Sequence, residues 1–269
     1  MKRRHQPPPL KPIERDYRIS LCTTCMGRLH DLALTLPRNL ELNADYPHVE
    51  FVILDYNSRD GLGDWVRREM SEHLRTGRVA YYRTEEPQYY SMTHSRNVAF
   101  KLATGHVVCS VDADNYTLDP TPAETIDSVE GFAAYVNRLA NQQSERAFFA
   151  KGRRLLRGRL GFFRQEFLDV LGGYDENLQG YGHDDHDLYQ RALGLGFTPY
   201  FFGGTYVSRI KTPRAHKGAN MQEKNWRVTE SANKARSAES LAQGQFRANV
   251  GREWGRARVQ KNFSEWIEL

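Results

Sequence analysis

Asp112-Ala113-Asp114 directly follows the apolar run Val107-Val108-Cys109-Ser110-Val111. Two carboxylates two residues apart at the end of a buried strand share one face while Ala113 turns away, so both reach one divalent cation or one ligand at the carboxyl edge of a sheet. A hard metal bridging to a phosphate suits such a pair. A second acidic run, Asp184-Asp185-His186-Asp187, follows Gly180-Tyr181-Gly182-His183 and opens a stretch bearing Leu188, Tyr189 and Leu193. Capping a helix N-terminus employs one of these acids. One cap does not need three, and a partly desolvated carboxylate beside an anionic ligand can serve as a general base toward a hydroxyl. His216, in Pro213-Arg214-Ala215-His216-Lys217-Gly218, sits in a basic loop that no period explains. Folded over the first acidic pair, its imidazole would complete a mixed oxygen and nitrogen shell, which suits manganese better than magnesium or calcium. His183 and His186 are rivals for that place. Thr23-Thr24 with Arg28, Asp55-Tyr56-Asn57-Ser58 and His94-Ser95-Arg96-Asn97 end or open further apolar segments. Ordinary turns would ask only for Asn, Ser or Gly, and the recurring Arg points to contact with anions. Together they outline one nucleotide-sized pocket.

The elements that must carry these residues are legible in outline. Tyr17 to Cys22, Val49 to Leu54, Arg78 to Tyr82 and Val107 to Val111 read as strands. Leu29, Leu32, Leu36 and Leu40 give a helical period broken or restarted at Pro37, Trp65 to Leu74 another, and Ser95 to Ala103 a third. Strands alternating with helices through short polar turns predict a mostly parallel sheet covered by helices, with ligands gathered at the strands' carboxyl ends. The second half differs. It carries a helical stretch over Val129 to Leu139, an Arg-rich segment from Lys151 to Arg159, a short helix ending at Gly172-Gly173, and the helix behind the second acidic run. Residues before about Tyr17 read as a flexible basic tail, and those beyond about Trp226 as polar and helix-prone.

Composition permits an enzyme without specifying one: 269 residues with 39% hydrophobic and 12% aromatic content support one large domain or two small ones. No apolar run approaches the ~20 residues that span a bilayer, and the start lacks the apolar core of a signal peptide, so the expected compartment is the cytoplasm. Cys22, Cys25 and Cys109 are too few for a disulfide framework, and the C-x-x-C spacing of the first two lacks the second pair a zinc site needs. A net charge of +5 favours anionic partners. Arg247, Arg252, Arg256, Arg258 and Lys261 interleave with Phe246, Trp254 and Phe263, which opens nucleic acid as one such partner and an anionic membrane surface as another.

Five motifs stand in register with a known family: Asp55-Tyr56-Asn57-Ser58; Ser95-Arg96-Asn97-Val98-Ala99 with Ala103-Thr104-Gly105; Val111-Asp112-Ala113-Asp114; Gly161-Phe162-Phe163-Arg164 through Leu171-Gly172-Gly173-Tyr174-Asp175; and Gly180 to Leu188. From about Ile19 to about Asn225 the chain resembles the GT-A fold nucleotide-sugar glycosyltransferases, particularly family 2 and the β-1,4-galactosyltransferase and chondroitin-polymerase-like group. The resemblance implies an α/β, Rossmann-like GT-A fold: a mostly parallel central sheet flanked by helices, with a C-terminal helical extension. The tail would occupy 1–16, the transferase domain 17–225 and the extension 226–269. Within the domain, 17–120 would bind the nucleotide sugar and 121–225 the acceptor. It further implies a Mn2+- or Mg2+-dependent enzyme of polysaccharide biosynthesis that moves a Gal, GalNAc, Glc or GlcNAc type sugar from UDP to an acceptor hydroxyl on a glycan or other molecule. The product would be an inverted, β-glycosidic bond. Asp112 and Asp114 would lie beside the donor diphosphate, Asp114 ahead of Asp112 as direct metal ligand, with His216 completing the set. Arg28, Asp55 and Arg96 would surround the base and ribose, supported by Thr23, Asn57, Ser58 and Asn97. The group reads Glu-Asp where this chain has Asp184-Asp185, so Asp185 matches the catalytic base and Asp184 an acceptor contact, joined on the acceptor side by Gly161 and Tyr181. Rival readings are a transferase acting on nucleic acid and a non-catalytic carbohydrate- or nucleotide-binding module on the same fold.

Overall fold

The computed structural model describes residues 12–118, 129–150, 160–202, 204–206, 208–211 and 218–269. The strands are β1 (Ile19–Cys25), β2 (Val49–Tyr56), β3 (Val79–Thr84), β4 (Val107–Ser110), β5 (Asn115–Tyr116), β6 (Ala147–Ala150), β7 (Leu160–Phe163), β8 (Thr198–Phe201), β9 (Ser208–Arg209), β10 (Arg258–Lys261) and β11 (Glu265–Glu268). The α-helices are α1 (Leu29–Glu41), α2 (Leu62–Glu69), α3 (Ser71–Arg75), α4 (Met92–Leu102), α5 (Phe132–Gln142), α6 (Arg164–Glu166), which runs into a π-helical turn over Phe167–Leu171, α7 (Asp184–Gly194) and α8 (Trp226–Ala242). One nine-stranded sheet has the order β11-β10-β3-β2-β1-β4-β7-β6-β8, and β5 pairs with β9 beside it. Strands β3, β2, β1 and β4 are mutually parallel, β6 and β8 keep their direction, and β7 and β10 run against their neighbours.

The parallel block is buried on both faces, which is why its strands are apolar runs rather than alternating ones. One core holds Ile19, Leu21, Phe51, Ile53, Val79 and Cys109 under α1, α2 and α5. The opposite core holds Cys22, Val52, Leu54, Tyr82 and Val108 under α4, the π turn and α7. Cys22 and Cys25 therefore face opposite sides of the sheet, and burial raises both thiols well above the ordinary range, as expected of packed rather than redox-active cysteines.

Two sequence expectations change. Pro37 lies inside α1 without ending it; the buried stripe Leu32, Leu36 and Leu40 offsets the roughly 3 kcal/mol cost of an internal proline. The segment beyond 226 is helical only through α8. It closes with the β10–β11 hairpin, whose β10 pairs antiparallel with β3 at Gln260↔Arg83 and Lys261↔Tyr82, so the end of the chain widens the main sheet. The Arg-rich segment and most of the basic tail lie outside the described residues. Among the described residues no helix is long and apolar enough to cross a membrane.

Candidate active site

The first acidic pair hangs on a clamped turn. Val111 N donates to Cys22 O at 2.8 Å, Thr23 Oγ1 to Val111 O at 2.7 Å, Thr35 Oγ1 to Ala113 O at 2.7 Å, and Asn115 N to Asp112 O at 2.9 Å. Ala113 is buried in the core, which leaves Asp112 and Asp114 to project from the sheet edge. Asp114 accepts from Asn115 Nδ2 at 2.6 Å and faces Arg28 Nη2 at 3.5 Å, while Arg28 also pairs with Asp31 at 2.5 Å. Asp112 keeps 41% of its side chain accessible. Enough protein surrounds it that desolvation, joined by the charges of Asp114 and Asp185 and opposed by Arg96, pushes its carboxyl up to about 6.

The second acidic run divides its labour. The approach to α7 is left-handed at Gly182 and His183, which aims the helix N-terminus back at the sheet edge. Asp187 is consumed in structure: with Asp175 it pairs with the buried Arg191, at 2.7 and 2.8 Å. Asp184 and Asp185 point the other way, onto Arg96. This guanidinium, only 3% exposed, bonds Asp184 Oδ2, Asp185 Oδ1 at 3.0 Å and Asp112 Oδ1 at 3.1 Å, with the Tyr174 ring beneath it at 5.4 Å. Tyr174 Oη also reaches Asp185 at 3.5 Å. Burial, with Asp185 and Asp112 adding to it against Arg96, raises Asp184 to about 7. A single buried cation thus ties the two acidic motifs, 72 residues apart in sequence, into one cluster.

Asn97 stands behind this cluster rather than in it. Its amide accepts from Tyr174 N at 2.8 Å and donates to Tyr174 O and Glu176, both at 2.9 Å, locking α4 to the loop that carries Tyr174. Gly173 allows that contact: at φ +80° an added Cβ would meet Trp254 at 2.5 Å and Asn97 Oδ1 at 2.6 Å.

At the exit of β2, Asp55 is fully buried and its oxygens are committed. Oδ1 accepts from Ser58 N at 2.7 Å; Oδ2 accepts from Tyr81 Oη at 2.6 Å and Arg83 Nη1 at 2.7 Å. Ser58 Oγ accepts from Gly27 N and donates to Cys25 O, both at 3.2 Å, joining the exits of β1 and β2. Asn57, left-handed at φ 59°, donates to Glu85 O and Pro87 O.

The structure therefore brings Asp112, Asp114, Asp184, Asp185, Arg28 and Arg96 together at one edge, with Thr23, Ser58 and Asn97 bracing the turns and loop behind them, while Asn57 is bonded away to Glu85 O and Pro87 O. Tyr181 joins them: burial, with Asp184 and Asp112 nearby, lifts its phenol to about 12. Gly161 does not join. It lies within β7 opposite Cys109, where an added Cβ would meet Cys109 Sγ at 2.5 Å, so its missing side chain serves the sheet. His216 lies outside the described residues. The rival imidazoles of His183 and His186 stack on each other at 5.7 Å, with Lys234 and Glu230 of α8 close to His183. Sequence reasoning missed Tyr81, Arg83 and Tyr174. Tyr81-Tyr82-Arg83 carries the same signal as the other strand exits, a polar group ending an apolar run, whereas Tyr174 looks like core until α4 packs on it.

The two carboxylates of Asp112 and Asp114 fit a cation that draws the rest of its shell from a diphosphate, water or a ligand outside the described residues. Among the described residues no group of three or more His, Cys, Asp or Glu side chains is arranged to hold a metal alone. The charge balance agrees, since three acids share one guanidinium.

The pattern of glycosyl transferase family 2 matches residues 20–174, and that of the N-terminal domain of galactosyltransferase matches 143–219. No curated protein matches the sequence. Among solved structures, the chain is similar to the mannosyltransferase PcManGT from Pyrobaculum calidifontis in complex with GDP-Man and Mn2+, at TM-score 0.64 and 19% identity over 89% of this chain and 68% of that one. It is also similar to S. aureus TarS with UDP-GlcNAc, at 0.53 and 13% over 85% and 72%. GalNAc-T7 with UDP, GalNAc and Mn2+ follows at 0.54 and 14% over 84% of this chain and 48% of that chain. At these identities the likeness is one of fold.

Proposed function

The chain belongs to glycosyl transferase family 2, and from that premise we propose that it transfers a sugar of the Gal, GalNAc, Glc or GlcNAc type from UDP to an acceptor hydroxyl with inversion. The observation that supports this reading is the Arg96 cluster, in which Asp112 lies beside Asp184 and Asp185. Asp112 and Asp114 would hold Mn2+ or Mg2+, with Asp114 the direct ligand, and the bound ion would offset charge on the diphosphate. In the transfer the acceptor oxygen forms a bond to the anomeric carbon as the bond from that carbon to the diphosphate oxygen breaks. Asp185 takes the hydroxyl proton, UDP leaves with the bonding electrons, and attack opposite the leaving group inverts the centre. Asp184 holds a sugar hydroxyl of the acceptor, Tyr181 walls that side, and Arg96 keeps both carboxylates in place. Arg28, held by Asp31 and facing Asp114, is assigned to the donor phosphates rather than to the base and ribose that the resemblance implied.

A screen of UDP- and GDP-sugars for released nucleoside diphosphate, with Mn2+, with Mg2+ and with EDTA, tests the reading. Release from a UDP-hexose that requires the metal is the expected result. Turnover undiminished by EDTA, or with GDP-mannose alone, overturns the metal or the donor assignment respectively.

A further inference from the structure

The turn joining β10 to β11 is strained in a way the chain's end does not require. Asn262 and Phe263 are both left-handed, at φ 46° and 64°. Asn tolerates that region; a bulky aromatic is an outlier there and persists only where its surroundings over-determine it. Those surroundings are on the nucleotide side of the site. The Phe263 ring stacks on Tyr81 with centroids 4.8 Å apart and planes 26° from parallel, and Arg67 covers it at 4.3 Å. Asn262 grips the Tyr81 backbone from both sides: Oδ1 accepts from Tyr81 N at 2.9 Å and its own N donates to Tyr81 O at 2.8 Å. Tyr81 then spends its hydroxyl on Asp55.

Asp55 passes this positioning on. It receives Arg83 Nη1 and the Ser58 amide, Arg83 Nη1 lies 3.3 Å from Ser58 O, and Ser58 Oγ holds Gly27 N in the β1–α1 turn next to Arg28. With both carboxylate oxygens of Asp55 engaged, the Arg83 guanidinium at the end of β3, 25% exposed and bonded to Asp55, Ser58 O and, through Nε at 3.3 Å, Glu85, is the charged group beside this turn that a ligand can reach. We infer that the C-terminal hairpin is a working part of the donor pocket: Phe263 and Tyr81 are positioning residues that fix the Asp55–Arg83 pair and the Ser58 turn for a nucleoside diphosphate. The inference rests on the donor reading above, and it extends the pocket to a segment outside the 20–174 family match. It explains why a hairpin at the far edge of the sheet carries a strained aromatic whose ring points inward.

Tyr81→Phe removes one hydroxyl and leaves the stacking; Phe263→Ala removes the stacking and leaves the hydroxyl. Calorimetry with UDP and Mn2+ should find each variant weaker than the parent by ~3- to 10-fold, the scale of one lost hydrogen bond. The double variant should be no weaker than the poorer single one, because both act through Asp55. Steady-state kinetics should place the loss in the donor KM rather than in kcat. A hairpin that merely stabilised the fold would lower the melting temperature and leave UDP affinity and the donor KM alone. Hydrogen exchange at the Ser58 amide, which Asp55 accepts, gives a readout that needs no ligand: exchange should accelerate in both variants. Unchanged Ser58 exchange and UDP affinity in Tyr81→Phe, which is the milder change, overturn the inference. If the parent binds neither UDP nor GDP, the donor reading fails, and faster Ser58 exchange in the variants still establishes the hairpin's hold on Asp55.

Discussion

Arg96 decides how the acidic residues behave, because it meets three carboxylates with one buried guanidinium. Arg96→Ala would strand those acids beside one another, and removing one partner of a buried ionic network costs about 3–5 kcal/mol; urea unfolding should register a loss on that scale. The two acids of α7 should separate cleanly. Asp185→Asn keeps the size and one acceptor oxygen for Arg96 and Tyr174 but cannot take a proton, so turnover should fall ~100-fold or more with UDP affinity intact. Asp184→Asn should instead raise the acceptor concentration required, with a smaller loss at saturation. Near-normal turnover by Asp185→Asn, or a product whose anomeric configuration by NMR matches the donor's, contradicts the inverting-base assignment. At this scale Asp112, Asp114, Asp184 and Asp185 were legible in the sequence because carboxylates two apart or adjacent at an element's end have few structural uses. Asp187 shows the limit. It is identical in type, yet it is taken by Arg191 one helical turn on; the i,i+4 spacing announces that pair, while the second partner of Arg191, Asp175, comes from outside the helix and has no local signal.

The parallel strands and the helices between them were readable because each spans several turns or a continuous apolar run, and periodicity needs length to speak. Strands β6, β7 and β8 are four residues each and derive their stability from neighbours, so local pattern could not separate them from loops. The closing hairpin was obscured for the same reason, since its inward residues, Val259 and Ile267, are too few to show alternation. At the amino ends of the parallel strands, Glu50 illustrates how polar sequence positions the block. Ser20 Oγ, Arg18 Nη2 and both Thr104 donors surround it at 2.6 to 2.9 Å, tying β2 to β1 and to the turn before β4. Burial alone would raise its pKa; these bonds outweigh burial and hold it below the ordinary carboxylate range. A depressed folded-state pKa means that the stabilisation is present above about 4.3, the value of an unfolded glutamate, and is lost as pH falls through the lower folded value. Acid unfolding followed by circular dichroism should therefore show Glu50→Gln less stable than the parent at pH 7, with the gap narrowing below about pH 4.3. A gap that stays constant down to pH 2 would mean that the charge contributes nothing.

Across the whole molecule, the net charge of +5 leaves nucleic acid as the rival partner, and the C-terminal basic and aromatic residues are where such binding would reside. Their placement argues against a stacking platform. Phe246 packs over Gly194, where an added Cβ would lie 2.1 Å from the ring; Trp254 lies against Gly173 and under Lys101 Nζ at 4.2 Å; and Phe263 faces Tyr81. All three are half-buried, so the bases of a single strand would find guanidiniums but not these rings. Arg247 and Arg252, moreover, donate to Asp169 O and Asn177 Oδ1 and brace the loop that carries Tyr174. Trp266 is exposed, with Arg258 over its ring at 4.6 Å, so single-stranded DNA and RNA should bind chiefly through phosphates with at most that ring to stack on. At physiological salt the expected dissociation constant is about 1–100 µM without sequence preference, weakening steeply as salt rises. UDP with Mn2+, held by groups partly withdrawn from solvent, should lose far less affinity over the same range. Fluorescence anisotropy with labelled oligonucleotides and calorimetry with UDP, each at several salt concentrations, make the comparison. Sub-micromolar, salt-resistant oligonucleotide binding that drops when Trp254 is replaced by leucine would return the molecule to the nucleic-acid class; binding that simply follows ionic strength leaves the acidic edge of the sheet as the functional centre.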